Sequence, residues 1–292
     1  MKILHVCSAC CVPLALVFLL GSGEVSTLSA RDRSGSEITR STDSVEQLLS
    51  DQKIEDGEAV QRIFELGSAA IPNLIAALQK GTNVERASRA LVYSGGPEER
   101  KVLRGLIETE KDPEKKWMMA GFLAGALVEP ASREDWDFLR SCLAGYKDET
   151  KNYATLSAVI ALGINASPKA LDLLQSVADA PQRRGSENDN VEEARQAIRW
   201  IKERSLVKTS ISNEKGPDSE QIKQTVLQSL FLAAGEAKKV SFDETLFTNN
   251  RTRALVSLKV PASNGNPQGY DIVLRKESGV WKVIGAWYTW AA

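Results

Sequence analysis

Along most of this chain the apolar residues recur with the period of a helix, and near its end the period drops to two. In the stretch 57–80, Val60, Ile63 and Phe64 mark one helix face. Leu66-Gly67 then breaks the pattern, and Ile71, Leu74, Ile75 and Leu78 follow at i, i+3, i+4 and i+7. This predicts a helix, a turn and a second helix, and the unit recurs. A shift of 28 residues lays Gly95 on Gly67, and Val102, Leu103 and Leu106 on Leu74, Ile75 and Leu78. A shift of 96 lays Leu162-Gly163 on Leu66-Gly67, and Leu171 and Leu174 on Ile75 and Leu78. Between them lies a third pair, 117–128 followed by Trp136, Leu139 and Leu143. Ala194, Ala197, Ile198 and Ile201 mark a last helix, 191–204, as a half-unit or cap. A glycine after each first helix allows the left-handed turn that reverses the chain. Every residue of 117–128 is apolar or glycine. That stretch is too short to span a bilayer, so it is expected to be buried between neighbouring helices.

Each helix pair leaves a stripe that it cannot bury alone, so neighbouring pairs must stack. The segment AVQRIFELGSAAIPNLIAAL (59–78) resembles a HEAT repeat, and ALGINASPKALDLL (161–174) is similar to it. The resemblance covers 44–205, with one clear unit and three weaker ones. It implies an α-solenoid serving as a scaffold or binding surface, and it carries no catalytic motif.

The stretch 181–190 (PQRRGSENDN) reads as a loop, and 206–218, with Ser, Gly, Pro and mixed charge, as a linker. After it, Ile222, Val226, Leu230 and Ala233 define one amphipathic helix with Asp218 or Ser219 as its N-cap. Strand patterns follow. Ala254, Val256, Leu258 and Val260 alternate with Arg253, Ser257 and Lys259, Leu255 being the exception. A loop at Asn264-Gly265-Asn266 leads to 270–276, Glu277-Ser278-Gly279 turns into 280–290, and 240–247 is a candidate further strand. One helix and an antiparallel meander predict a small α+β unit over 219–292. The ending YDIVLRKESGVWKVIGAWYTW is similar to the last two strands of cystatin-like or nuclear transport factor 2-like domains. The fold class expected is therefore mainly α: an α-solenoid of HEAT-like helix pairs over 44–205, then a small α+β domain.

The first 30 residues add a location. Lys2 precedes an apolar run at 12–20, interrupted only by Pro13, with small residues after it at Gly21-Ser22-Gly23 and Leu28-Ser29-Ala30. This reads as a cleaved secretory signal, with a flexible leader at 31–43. Cys7, Cys10 and Cys11 would leave with the signal, so the mature chain would keep only Cys142, a buried thiol beside Leu143 with no disulfide partner. The expected location is periplasmic or secreted.

Composition then removes chemistries. Lys and Arg total 37 against 38 Asp and Glu, so no global charge draws the chain to nucleic acid or an anionic membrane. The single histidine is His5, within the expected signal. A mature chain without histidine has no His-based triad and no His-ligated metal. No Walker loop, G-x-G-x-x-G or G-x-S-x-G occurs. Glu134, Asp135 and Asp137 read as a helix N-terminus, and Glu187, Asp189, Glu192 and Glu193 as a solvated loop and helix start. No catalytic, cofactor or metal residue is expected, and no membrane span in the mature chain.

What remains is aromatic. Three of the six tryptophans, Trp281, Trp287 and Trp290, lie in the last 12 residues, with Tyr288. Regular alternation puts Trp281 and Trp287 on one face, Tyr288 and Trp290 on the other, unless a bulge at Gly285 resets it. Trp281 is expected in the core under Val226 and Leu230. Tyr288 and Trp290 are the candidate binding residues; the competing outcome is that both faces are covered, one by the helix and one by the solenoid. The functional expectation is an exported, non-enzymatic module of the bacterial cell envelope that binds a protein or peptide partner. The alternative is a small apolar ligand held in a pocket of the C-terminal domain.

Overall fold

The computed structural model describes residues 44–144, 148–179, 189–206, 218–230, 239–261 and 267–291, less the side chains of 149, 189, 200, 203–206, 261, 290 and 291. The expected signal and leader, most of the loop at 181–190 and linker residues 207–217 lie outside the described residues. So does the side chain of Trp290.

The helices are α1 (Val45–Ser50), α2 (Asp56–Leu66), α3 (Ile71–Gln79), α4 (Val84–Ser94), α5 (Pro97–Thr109), α6 (Pro113–Gly125), α7 (Arg133–Leu143), α8 (Asn152–Asn165), α9 (Pro168–Ala178), α10 (Asp189–Leu206) and α11 (Asp218–Ser229). Their starts are written in short polar side chains. Ser44 accepts from the Gln47 amide, Asp112 from Glu114 and Lys115, Ser132 from Asp135 and Ser167 from Ala170. Pro113 and Pro168 occupy the following position, where a missing N–H costs nothing. Helices α2, α4, α6, α8 and α10 pack side by side in that order as one layer, while α3, α5, α7 and α9 lie behind them.

Two of the expected turns differ in mechanism. Gly67 has the positive φ that the turn requires, 63°, but its ψ of −136° lies outside the left-handed helical region that was expected. The φ of Gly95 is not positive, at −84°. It is required by close approach instead, since a Cβ there would come within 2.6 Å of the Leu91 carbonyl oxygen. Gly163 is no turn at all. It lies inside α8, and the chain reverses at Ala166, φ 56°. Asn165 organises that reversal: its amide donates to the Val128 carbonyl at 2.8 Å and accepts from the Ser167 N–H.

Helix α6 explains the uniformly apolar stretch. It is packed by α4 and α8 in its own layer, by α5 and α7 behind, and by the last strand in front. With neighbours on every side, no face needs to be polar. Cys142 on α7 is buried and free, and burial pushes its thiol up to about 12.

The C-terminal part is a four-stranded antiparallel meander of β1 (Ser241–Phe247), β2 (Arg253–Pro261), β3 (Pro267–Glu277) and β4 (Val280–Ala291), in that spatial order. One face carries Ala254, Val256, Leu258, Ile272, Leu274, Trp281 and Val283, packed with Ile222, Val226 and Leu230 of α11. Trp281 is buried there, as expected. Its indole N–H donates to Asp218 at 3.3 Å, and Lys276 pairs with the same carboxylate at 2.6 Å.

The alternation along β4 is corrected. Val273 pairs with Gly285 but Leu274 pairs with Val283, so Ile284 is an extra, bulged residue. Beyond it the faces exchange. Trp287 joins the helical layer's core, while Tyr288 packs with the cluster that holds Trp281. Residues 43–292 form one compact unit, so the helical segment and the sheet share a core rather than standing apart.

Candidate functional site

The sheet meets the helices through a face that is neither wholly apolar nor wholly polar. Successive rows across β2 and β3 are Arg253 and Arg275, then Leu255 and Val273, then Ser257 and Asp271. Leu255 and Val273 continue the helical core, and Trp287 completes it. The Trp287 indole occupies a slot from which side chains are excluded, because a Cβ on Gly125 of α6 or on Gly285 of β4 would overlap it. Its N–H donates to the Phe122 carbonyl at 2.8 Å, and its ring lies 4.6 Å from that of Tyr93.

Around this apolar centre, arginines serve as fasteners. Arg253 donates to the Tyr93 and Gly95 carbonyls at 3.0 and 2.6 Å, closing the C-terminus of α4 where a cation is favoured. Burial, and then Arg275 beside it, pushes the Arg253 guanidinium down to about 10. Arg100 reaches the Ala126 carbonyl at the end of α6 in the same manner, at 3.3 Å.

On the other side of the centre is a buried polar network. Arg89 donates to Asp271 at 2.7 Å and to the Tyr93 hydroxyl at 3.0 Å, and Tyr93 donates to the same Asp271 oxygen at 2.8 Å. Ser257 donates to the other carboxylate oxygen at 2.7 Å. The Arg89 pKa is raised, by the Tyr93 oxygen first and by Asp271, against the opposing effect of burial. Tyr93 is fully buried, and burial first, then Asp271, holds its proton on. Neither group is available for proton transfer at ordinary pH.

Two clefts of about 300 Å³ each open on either side of this network, and Arg89, Tyr93 and Thr289 line both. The first is built by two helices with the same spacing. Glu85, Arg89 and Tyr93 stand four residues apart on α4; Glu114, Met118 and Phe122 stand four apart on α6. Residues at i, i+4 and i+8 share a helix face, so each helix presents an acid at its exposed N-terminal end and an aromatic ring at its buried end. Tyr153 of α8, with Thr150 before it, and Trp287, Tyr288 and Thr289 of β4 complete the lining. The Phe122 and Tyr153 rings meet edge to face at 5.4 Å. The second cleft is more polar, with Glu55, Gln61, Asp243, Ser257 and Asp271 among its lining residues.

Of the two candidate binding residues, Tyr288 is half-buried. It meets the Tyr270 ring edge to face at 5.8 Å and lines the first cleft. For Trp290 only the backbone, paired with Gly269, is described. Both faces of the sheet are covered at its other tryptophans, Trp281 under α11 and Trp287 against the helices, whereas the side chain of Trp290, on which the competing outcome turns, lies outside the described residues. The acids Glu134, Asp135 and Asp137 belong to the start of α7, with Asp135 bonded to the Ala131 and Ser132 amides and to Arg104. Among the described residues no group of three metal-ligating side chains comes together, and no helix is long and apolar enough to cross a membrane. The acid-to-aromatic ladders of α4 and α6 were missed at the level of sequence; their four-residue spacing was the signal. No protein-family model, curated protein or solved structure matches the chain.

Proposed function

We propose that the chain is an exported, non-enzymatic binding module, periplasmic or secreted from a bacterial cell, whose stacked helix pairs form a HEAT-like α-solenoid closed on one side by a cystatin-like sheet. Its role is to hold a protein or peptide partner. The observation that carries this reading is the position of the open space. Both clefts lie along the seam where the sheet meets the helices, side by side, with Arg89, Tyr93 and Thr289 common to the two. Adjacent shallow sites on a continuous seam suit an extended segment that places successive side chains along it. A small apolar ligand held beneath α11 has less support. Among the described residues that face is filled by Trp281, Val283, Ile272 and Leu274 against Ile222, Val226 and Leu230.

The test is a photoreactive residue placed at Tyr288 in the full chain, in its own cells. A defined covalent adduct is expected from Tyr288 and not from Val280, an exposed apolar residue beside the turn of the last hairpin. Equal labelling at both positions, or none at Tyr288, overturns the reading. Export has a separate test, N-terminal sequencing of the mature protein, which is expected to begin between residues 22 and 32.

A further inference from the structure

We propose that the cleft between α4 and α6 is a subsite for an aliphatic cation, and that its occupant is a lysine side chain of the bound peptide. This rests on reading the seam as a binding surface and adds the chemistry of one position on it.

The argument begins with which acids are already satisfied. Asp56 is held by Arg86, Glu58 by Arg62, Asp135 by Arg104 and Asp271 by Arg89. Glu85 and Glu114 are different. Both carboxylates line the same cleft, both are exposed, and neither has an ion pair or hydrogen bond among the described residues. Each lies in the first turn of its helix, where a negative side chain is favoured by the helix dipole. Among the described residues the one cation lining the cleft, Arg89, is already neutralised by Asp271 at 2.7 Å and does not compete for them.

Below the acids the lining becomes apolar: Met118 and Tyr153, half-buried, then Phe122, Tyr93 and Trp287, buried. A site with carboxylates at the rim and rings and a thioether below matches a long alkyl chain ending in a charge. The stem of such a chain covers apolar surface while its head stays hydrated and paired. The volume, about 300 Å³, lies at the small end of ligand sites and suits one side chain with its flanking backbone. An acidic or neutral side chain would leave both glutamates unanswered.

The experiment uses the full chain labelled with ¹⁵N and follows the Trp287 indole N–H, assigned with Trp287→Phe. Three blocked pentapeptides, Gly-Gly-X-Gly-Gly with X lysine, norleucine or glutamate, are titrated at low ionic strength. The lysine peptide is expected to shift the Trp287 signal and to bind at least tenfold more tightly than the norleucine peptide, with no binding by the glutamate peptide. Glu85→Gln combined with Glu114→Gln is expected to weaken lysine binding at least fivefold with unchanged thermal melting, since both side chains are exposed. Glu98→Gln, on the exposed face of α5, is the control and is expected to change nothing. Equal binding of the lysine and norleucine peptides, or undiminished lysine binding by the double variant, overturns the cation assignment and leaves the seam reading standing. Absence of any peptide binding while Tyr288 still gives its adduct has the same meaning. Loss of both peptide binding and the Tyr288 adduct defeats the two together.

Discussion

The two faces of the sheet solve different problems with the same residue type. Under α11, Trp281 sits in a mixed core: its cluster joins aliphatic side chains of the sheet and α11 to Ile160, Ala161 and Ile164 of α8, the Phe247 ring lies 6.0 Å away, and the indole N–H meets the Asp218 side chain. Against the helical layer, Trp287 sits in a slot shaped by two glycines, and its N–H meets a backbone carbonyl 165 residues away. The first face is an apolar core that α11 and residues of α8 close together. The second is an interface, with arginine caps and a buried Arg89–Tyr93–Asp271 network around an apolar centre. The difference teaches where space for a partner can arise. A face packed by apolar side chains closes on itself, whereas an interface with fixed polar contacts leaves gaps beside them, and both clefts lie there.

The sharpest way to break this comparison is to empty each tryptophan site. Trp→Ala in a core costs about 3–5 kcal/mol, and the two variants are expected to differ in kind. Trp281→Ala should melt the sheet while the helices persist. Trp287→Ala should uncouple the two parts, so that one unfolding transition in urea becomes two. A single coincident transition in both variants, seen by far-ultraviolet dichroism and tryptophan emission, would erase the distinction between the faces.

Next in size is the polar network. Asp271→Ala leaves Arg89 and Tyr93 facing an empty, poorly hydrated space, and removing one partner of a buried pair costs about 3–5 kcal/mol. Adding Arg89→Met to that variant is expected to recover more than half of the loss, because the uncompensated charge is then gone. A double variant no more stable than Asp271→Ala would show that the network acts through packing.

A smaller effect separates the helices from the seam by pH. Burial pushes the Asp135 carboxyl up, but Arg104 and the Ala131 and Ser132 amides outweigh it and hold its pKa below the ordinary range. A carboxyl depressed in the folded state contributes stability above its unfolded pKa and loses it as pH falls through the folded value. Melting of the wild type should therefore weaken below about pH 4, and Asp135→Asn should flatten that acid limb at a cost of roughly 1–2 kcal/mol near neutrality. An unchanged acid limb in the variant would remove Asp135 from the account.

The smallest expected change is at the hairpin tip. Val280→Ser should stay within about 0.5 kcal/mol of wild type, because Val280 is 51% exposed and its side chain covers little. Cys142 offers a matching probe on the helical side, since its thiol should resist a disulfide reagent until the helices open.

How far the sequence spoke depended on whether a signal was local. Helix faces such as Val60, Ile63 and Phe64, the stripe of Ile222, Val226 and Leu230 and the alternation of β2 follow from periodicity and are buried as read, while Ala233, read as part of the same stripe, lies outside the described residues. The Ala166 turn was hidden because Leu162-Gly163 imitates the Leu66-Gly67 break, and the competing Asn165 side chain acts through Val128, 37 residues away. A reset of the alternation was named at Gly285, but the extra residue itself, Ile284, is visible only in the pairing of two strands. Tyr288 was singled out as lying opposite Trp281, with a bulge at Gly285 named as what would reset the alternation. It lines the cleft because β4 is an edge strand beside α8, not because of its parity. Glu85 and Glu114 were legible as first-turn acids and no more, since nothing in either helix alone says that the two would face one space.

The Trp287 slot has a consequence in time. The chain is made from its N-terminus, and the residue that fills the gap between Gly125 and Gly285 comes after every helix that it covers. Until it emerges, the front of α4 and α6 lacks its indole cover, and the apolar row of Leu255 and Val273 is held to the helices by the polar contacts on either side of it. Contacts that close loops of this length are entropically late. A polypeptide stopped short of position 287 therefore exposes a sticky helical front to every chaperone and protease it meets, and one that includes Trp287 conceals it. The strand that carries this indole thus works as a seal, set in place only after the helices it covers have been made.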